Sequence, residues 1–166
     1  MRDRILRVPA RVFGFAAAPY CGTIFGLSAL PGTTFGVQTR ASTFFFNACH
    51  APLYSGLALL VSLALVDRRA APRYVFARPR AALAVLLTML YALADEWHQS
   101  FVAGRSPDLL DVLTDLGGAT FAALAVSLLV DNASRRSVIA RVAAMGGCVL
   151  FSASTALVAT LRSAAA

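Results

Sequence analysis

Between residues 95 and 115 the chain concentrates the side chains that can do acid–base or metal chemistry. Asp95-Glu96-Trp97-His98-Gln99 is followed by Arg105, Asp108, Asp111 and Asp115, so the window holds five of eight acidic residues and one of two histidines. The second histidine, His50, lies upstream beside Cys49. Clustered carboxylates with an imidazole can act as general acid and base, and the same groups can hold a hard or borderline divalent metal. No HExxH, phosphate-binding loop or GxSxG accompanies them, so the residues alone name a polar site and not a reaction. Their setting is what makes them costly. An Asp at the centre of a membrane helix costs roughly 2.5–3.5 kcal/mol, so five unpaired ones would cost on the order of 12–17 kcal/mol. They must lie at an interface, line a wet cavity or pair.

Spacing divides the window into two sets. Asp95, His98 and Gln99 stand at i, i+3 and i+4 and share a helix face, with Glu96 out of phase and directed at another neighbour. Asp108, Asp111 and Asp115 stand at i, i+3 and i+7. Asp108 beside Pro107 suits a helix N-cap, whereas Asp111 and Asp115 fall one and two turns inside, beyond the reach of a capping argument. Arg105, in the turn between the sets, can bridge two carboxylates with its planar guanidinium. Tyr91 and Trp97 suit packing or an interfacial belt, and Cys21, Cys49 and Cys148 suit packing, since no CxxC spacing is present.

Composition decides what must position these groups. The chain is 166 residues long, 58% hydrophobic and 14% charged, with a mean hydropathy of +0.70. Soluble domains carry about 25% charged residues, so a polytopic all-α membrane bundle is expected, one domain over 1–166. Apolar runs predict about five spanning helices, near 12–30, 44–66, 81–98, 108–130 and 142–161. The first follows four arginines, as a signal peptide would, but its run of about 19 residues and the lack of an A-x-A site favour a retained helix. Gly22 and Gly26 form a GxxxG there. The net charge of +7 comes from fifteen arginines and no lysine, without an aromatic-interleaved stripe, which argues against a nucleic-acid partner.

The arginines instead read as topology. Twelve of fifteen fall in the N-terminal segment, the 67–80 link and the 131–141 link. The positive-inside rule then places the N-terminus in the cytoplasm and the C-terminus outside. His50 and the acidic window share the outer side.

At these residues the chain resembles the VanZ-like family of bacterial integral membrane proteins. The resemblance rests on Asp95-Glu96, Gln99, Phe101, Gly104-Arg105, Asp111 and Asp115-Leu116-Gly117-Gly118, with His50 and Tyr54 upstream and Leu27-Ser28-x-x-Pro31 ending the first helix. It spans roughly residues 27–125. Asp115 stands where the family usually has Asn, and Asn47-Ala48-Cys49 replaces its usual Asp-Lys before the histidine. The resemblance implies a multi-pass protein of the bacterial inner membrane, in a family whose founding member is linked to low-level teicoplanin resistance. Three readings of His50, Asp95, Glu96, His98, Gln99, Arg105, Asp111 and Asp115 stay open. They form an outer-face site for a lipid-linked, glycan or glycopeptide-related ligand; or a divalent-metal enzyme using some of Asp95, His98, Asp111 and His50; or a structural lock between helices. No internal repeat supports a transporter.

Overall fold

The computed structural model describes residues 2–35, 39–69, 74–131 and 133–163. It is all-helical, with a single antiparallel bridge between Asp67 and Val75. The helices are α1 (Arg2–Arg7), α2 (Ala10–Ser28), α3 (Arg40–Leu65), α4 (Arg78–Gln99), α5 (Leu109–Val130) and α6 (Arg135–Ser163), with a 3-10 turn at Gly32–Phe35. Among the described residues, α3, α5 and α6 are long and apolar enough to cross a membrane. Arg73 of the basic link and residues 36–38 of the first loop lie outside the described residues.

The side-chain pattern is that of a bundle in lipid. In α4 the leucines at 83, 86, 87, 90 and 93 are exposed, whereas Ala84, Thr88, Ala92, Asp95 and Gln99 are buried. Large apolar groups face outward and small or polar ones inward, the reverse of a soluble amphipathic helix. α5 carries this furthest, burying Gly117, Gly118, Ala119, Ala122 and Ala123 where it packs among α3, α4 and α6. A Cβ on Gly118 would collide with the Ala51 carbonyl of α3, and the Gly118 carbonyl accepts a 2.8 Å bond from Ser55. Gly118 thus sets how closely α5 lies against α3, one turn from Asp115 on α5 and one residue from His50 on α3.

Three features differ from the sequence expectation: two helices start early, where polar side chains extend them past the apolar run, and the N-terminal segment is helical. α3 starts at Arg40 and not near 44. The Thr39 side chain accepts the Ser42 N–H at 3.1 Å while Ser42 Oγ accepts the Thr39 N–H at 2.8 Å, a reciprocal cap. His50 is therefore ten residues inside the helix, about 15 Å along its axis at 1.5 Å per residue, and not at its start. α6 starts at Arg135, seven residues before the expected 142. Its Arg141 turns back on α5, donating to the Ser127 carbonyl and pairing with Asp131, both at 2.9 Å. Finally, the basic N-terminus forms α1, whose Leu6 is fully buried among Leu63, Val66, Phe76, Val126 and Val130.

Candidate functional site

The ends of α2, α4 and α6, the beginning of α5 and the N-terminal half of α3 meet around a cavity of about 1260 Å³. His50, Asp95, Gln99, Arg105, Asp108 and Asp111 all line it. Its apolar wall includes Ile24, Leu27, Phe45, Phe46 and Leu53, so polar and apolar surfaces face each other across one space.

Its polar floor consists of two linked centres. The first is His50, held between two carboxylates of α5. Nδ1 lies 3.2 Å from Asp115 Oδ1, and Nε2 lies 3.9 Å from Asp111 Oδ2. The i, i+4 spacing of Asp111 and Asp115 delivers one carboxylate to each ring nitrogen across the close α3–α5 contact. Tyr54, one turn on from His50, lies parallel to the imidazole, with an interplanar angle of 4° and centroids 6.2 Å apart. Asp115 is fully buried.

The second centre is Asp95. Its Oδ2 accepts from Ser28 Oγ of α2 at 2.6 Å, Tyr54 OH of α3 at 3.2 Å and Gln99 Nε2 of its own helix at 3.2 Å. Three donors from three helices converge on one oxygen. Tyr54 belongs to both centres, stacking on the histidine and donating to this carboxylate.

Glu96 sits beside Asp95 but points to a different helix, as its phase predicts. Its Oε2 accepts the Asp108 N–H at 2.9 Å and its Oε1 accepts from Gln99 at 3.2 Å. A carboxylate at that place faces the positive end of α5. The Asp108 side chain caps α5 by accepting the Leu110 N–H at 2.9 Å, the N-cap role its position beside Pro107 suggests. Glu96, His50 and Asp111 come together closely enough that one ligand atom of each lies within 4.8 Å of the others.

Two residues are placed otherwise than the sequence suggests. His98 leaves the cluster and lies against Phe25 of α2, ring centroids 4.2 Å apart. The metal-capable set therefore contains Glu96 in place of His98 and Asp95. Arg105 gives its hydrogen bonds to carbonyls at the end of α2, Nε to Leu30 at 3.2 Å and Nη2 to Leu27 at 3.4 Å. The exposed carbonyls of a helix C-terminus attract a cation, so these bonds tie the 100–108 turn to α2.

Sequence reasoning gave Ser28 no chemical role, although its bond to Asp95 is the shortest in the site. Its signal was there: Ser28 is the last polar residue before the Pro31-Gly32 break, level with the end of α4. The floor also leaves acceptors unmet. Asp95 Oδ1, Asp111 Oδ1 and Asp115 Oδ2 are buried without a hydrogen-bond partner. Buried carboxylate oxygens are normally satisfied by donors, water or cations.

Residues 19–130 match the model of a protein family described as VanZ/LLP1. The matched span runs from Pro19 in α2 to the last residue of α5 and includes every residue of both centres. Comparison with the curated proteins and with the solved structures gave no match.

Proposed function

The chain belongs to the VanZ/LLP1 family, and from that premise we propose that it is a five-span protein of the bacterial inner membrane. In this reading its N-terminus is cytoplasmic, its C-terminus outside, and its outer cleft binds the anionic head of a lipid-linked envelope component. One observation carries the reading. Twelve arginines belong to the segments assigned to the inner side, and the remaining three, Arg40, Arg105 and Arg162, all line the cleft. Outer arginines are few under the positive-inside rule, and here they gather from three separate parts of the chain at one space. Guanidinium groups favour phosphate and carboxylate partners, and the apolar wall suits the alkyl part of an amphiphile. His50 between its two carboxylates supplies acid–base capacity at the same place. A glycopeptide-related role, teicoplanin resistance included, would follow from control of such a component.

The test uses the full chain in nanodiscs, titrated with a long-chain alkyl phosphate and with the alkyl glucoside of equal chain length. Binding of the phosphate, weakened at least about tenfold by Arg40→Ala combined with Arg162→Ala, is expected; tenfold corresponds to about 1.4 kcal/mol. Equal affinity for both amphiphiles, or indifference to the double substitution, refutes the anionic-head reading. In cells, alanine at Asp95, Gln99 or Asp111 should abolish complementation of a deletion strain while the protein still inserts.

A second reading has support of its own. Asp95 joins α2, α3 and α4 through Ser28, Tyr54 and Gln99, as a structural lock would. Under that reading the alanine variants lose yield and thermal stability, and alkyl phosphate binding per folded molecule is unchanged.

A further inference from the structure

We propose that His50, Glu96 and Asp111 form a divalent-cation site at the floor of the cleft, with Asp115 positioning the imidazole. Asp115 as a carboxylate is an acceptor only, so the 3.2 Å contact at Nδ1 calls for a proton on that nitrogen, and in the neutral ring, the form a metal takes, Nε2 is left bare. Nε2 then presents its lone pair to Asp111 Oδ2 at 3.9 Å. In that neutral form two acceptors face one another with no donor between them. A cation resolves that arrangement. At 3.9 Å the two atoms are too far apart for a hydrogen bond and within about half an ångström of the roughly 3.4 Å that bonds of about 2.0–2.2 Å set between two ligands of a tetrahedral ion. The ligand atoms of the three-residue set, all within 4.8 Å of one another, close by about an ångström on binding.

Two further features point the same way. A metal-bound histidine ordinarily donates its other N–H to a carboxylate, and Asp115, fully buried, is in that position and retains an unpartnered Oδ2. Asp111 likewise keeps a buried, unpartnered Oδ1 beside the site. One imidazole and two carboxylates suit zinc or manganese more than copper or calcium. His50 and Asp111 line the cleft and Glu96 lies behind them, so the open coordination position faces the space where the proposed ligand would lie. The inference rests on and deepens the anionic-head reading, since a cation at the acidic floor would add positive charge beside the cleft arginines, but the site itself stands on its own geometry.

The experiment is zinc binding to the full chain in nanodiscs after chelator washing, read by elemental analysis and calorimetry without any amphiphile present. One ion per chain is expected, lost in Asp111→Asn and in Glu96→Gln, and retained in His98→Ala. Asp115→Asn should keep the stoichiometry with affinity reduced 10–100-fold, the size of effect that loss of a positioning carboxylate has on a metal. Should Asp111→Asn fail to match the wild-type elution profile, His50→Gln serves the same purpose. Binding below stoichiometry, binding that survives the ligand substitutions, or binding abolished by His98→Ala overturns the site. Alkyl phosphate titration with and without zinc separates the two claims, because phosphate binding by a chain that holds no stoichiometric zinc preserves the cleft reading while the cation site falls.

Discussion

The two ends of this bundle treat acidic residues in opposite ways. At the arginine-rich end, Asp67 pairs with Arg80 and Asp131 with Arg141, both at 2.9 Å and both partly exposed. Both of these acids meet a guanidinium from the neighbouring helix. At the cleft end, Asp95, Glu96, Asp111 and Asp115 are met by an imidazole, hydroxyls, an amide side chain and a backbone N–H, and three of their oxygens are left without a partner. Exposed ion pairs contribute little, about 0–1 kcal/mol, and mainly hold loops in register. Buried acids without matched counter-charges are expensive. The family match covers α2 to α5, where all of the expensive acids lie, and stops at Val130, one residue before Asp131.

Substitutions can break or sharpen that contrast. The largest structural effect is expected at Gly118, because any side chain there meets the Ala51 carbonyl rather than a movable group. Gly118→Leu should separate α3 from α5 and destabilise the protein by about 3 kcal/mol or more, read as lost yield and a lower thermal midpoint. Ser28→Ala removes the 2.6 Å bond to a buried carboxylate and should cost about 1–3 kcal/mol, measurable by thermal unfolding in detergent. A cost near zero would show that Asp95 does not depend on α2.

The smallest effect is expected at the opposite end. The Arg69 backbone N–H and the Arg80 guanidinium hold the Asp67 carboxyl below its ordinary value of 3.8. A depressed folded value means stability that is present above the unfolded carboxylate range and fades as pH falls through the folded value. Asp67→Asn should therefore differ slightly from wild type at neutral pH and converge with it in strong acid. Divergence on acidification would contradict the assigned pairing.

Much of this arrangement was legible before any coordinates. The charge imbalance along the chain separated the two ends, and the i, i+4 spacing placed Asp111 and Asp115 on one face, which the structure turns toward His50. The out-of-phase position of Glu96 sent it to a different helix from Asp95. What could not be read was depth and destination. Thr39 and Ser42 look like loop residues until they cap each other, so α3 appeared to start late and His50 too near its end. Helical phase allowed His98 to join Asp95, but an imidazole can also pack on an aromatic ring, and Phe25 stands within reach. Arg105 was drawn to carboxylates by charge alone; the bare carbonyls ending α2 compete for the same donor, and their presence depends on where α2 stops.

One feature at the rim sets how the cleft is entered. Gly32 donates its N–H to the Ala103 carbonyl at 3.1 Å, and a Cβ on it would strike the carbonyl of Gly104, itself at a φ of 73°. Along that side the segment after α2 and the turn after α4 meet backbone to backbone at Gly32, beside the Arg105 bond to the Leu30 carbonyl. A rotamer change cannot widen such a seam. A side chain at Gly32 would therefore part the two segments and widen the entrance on that side.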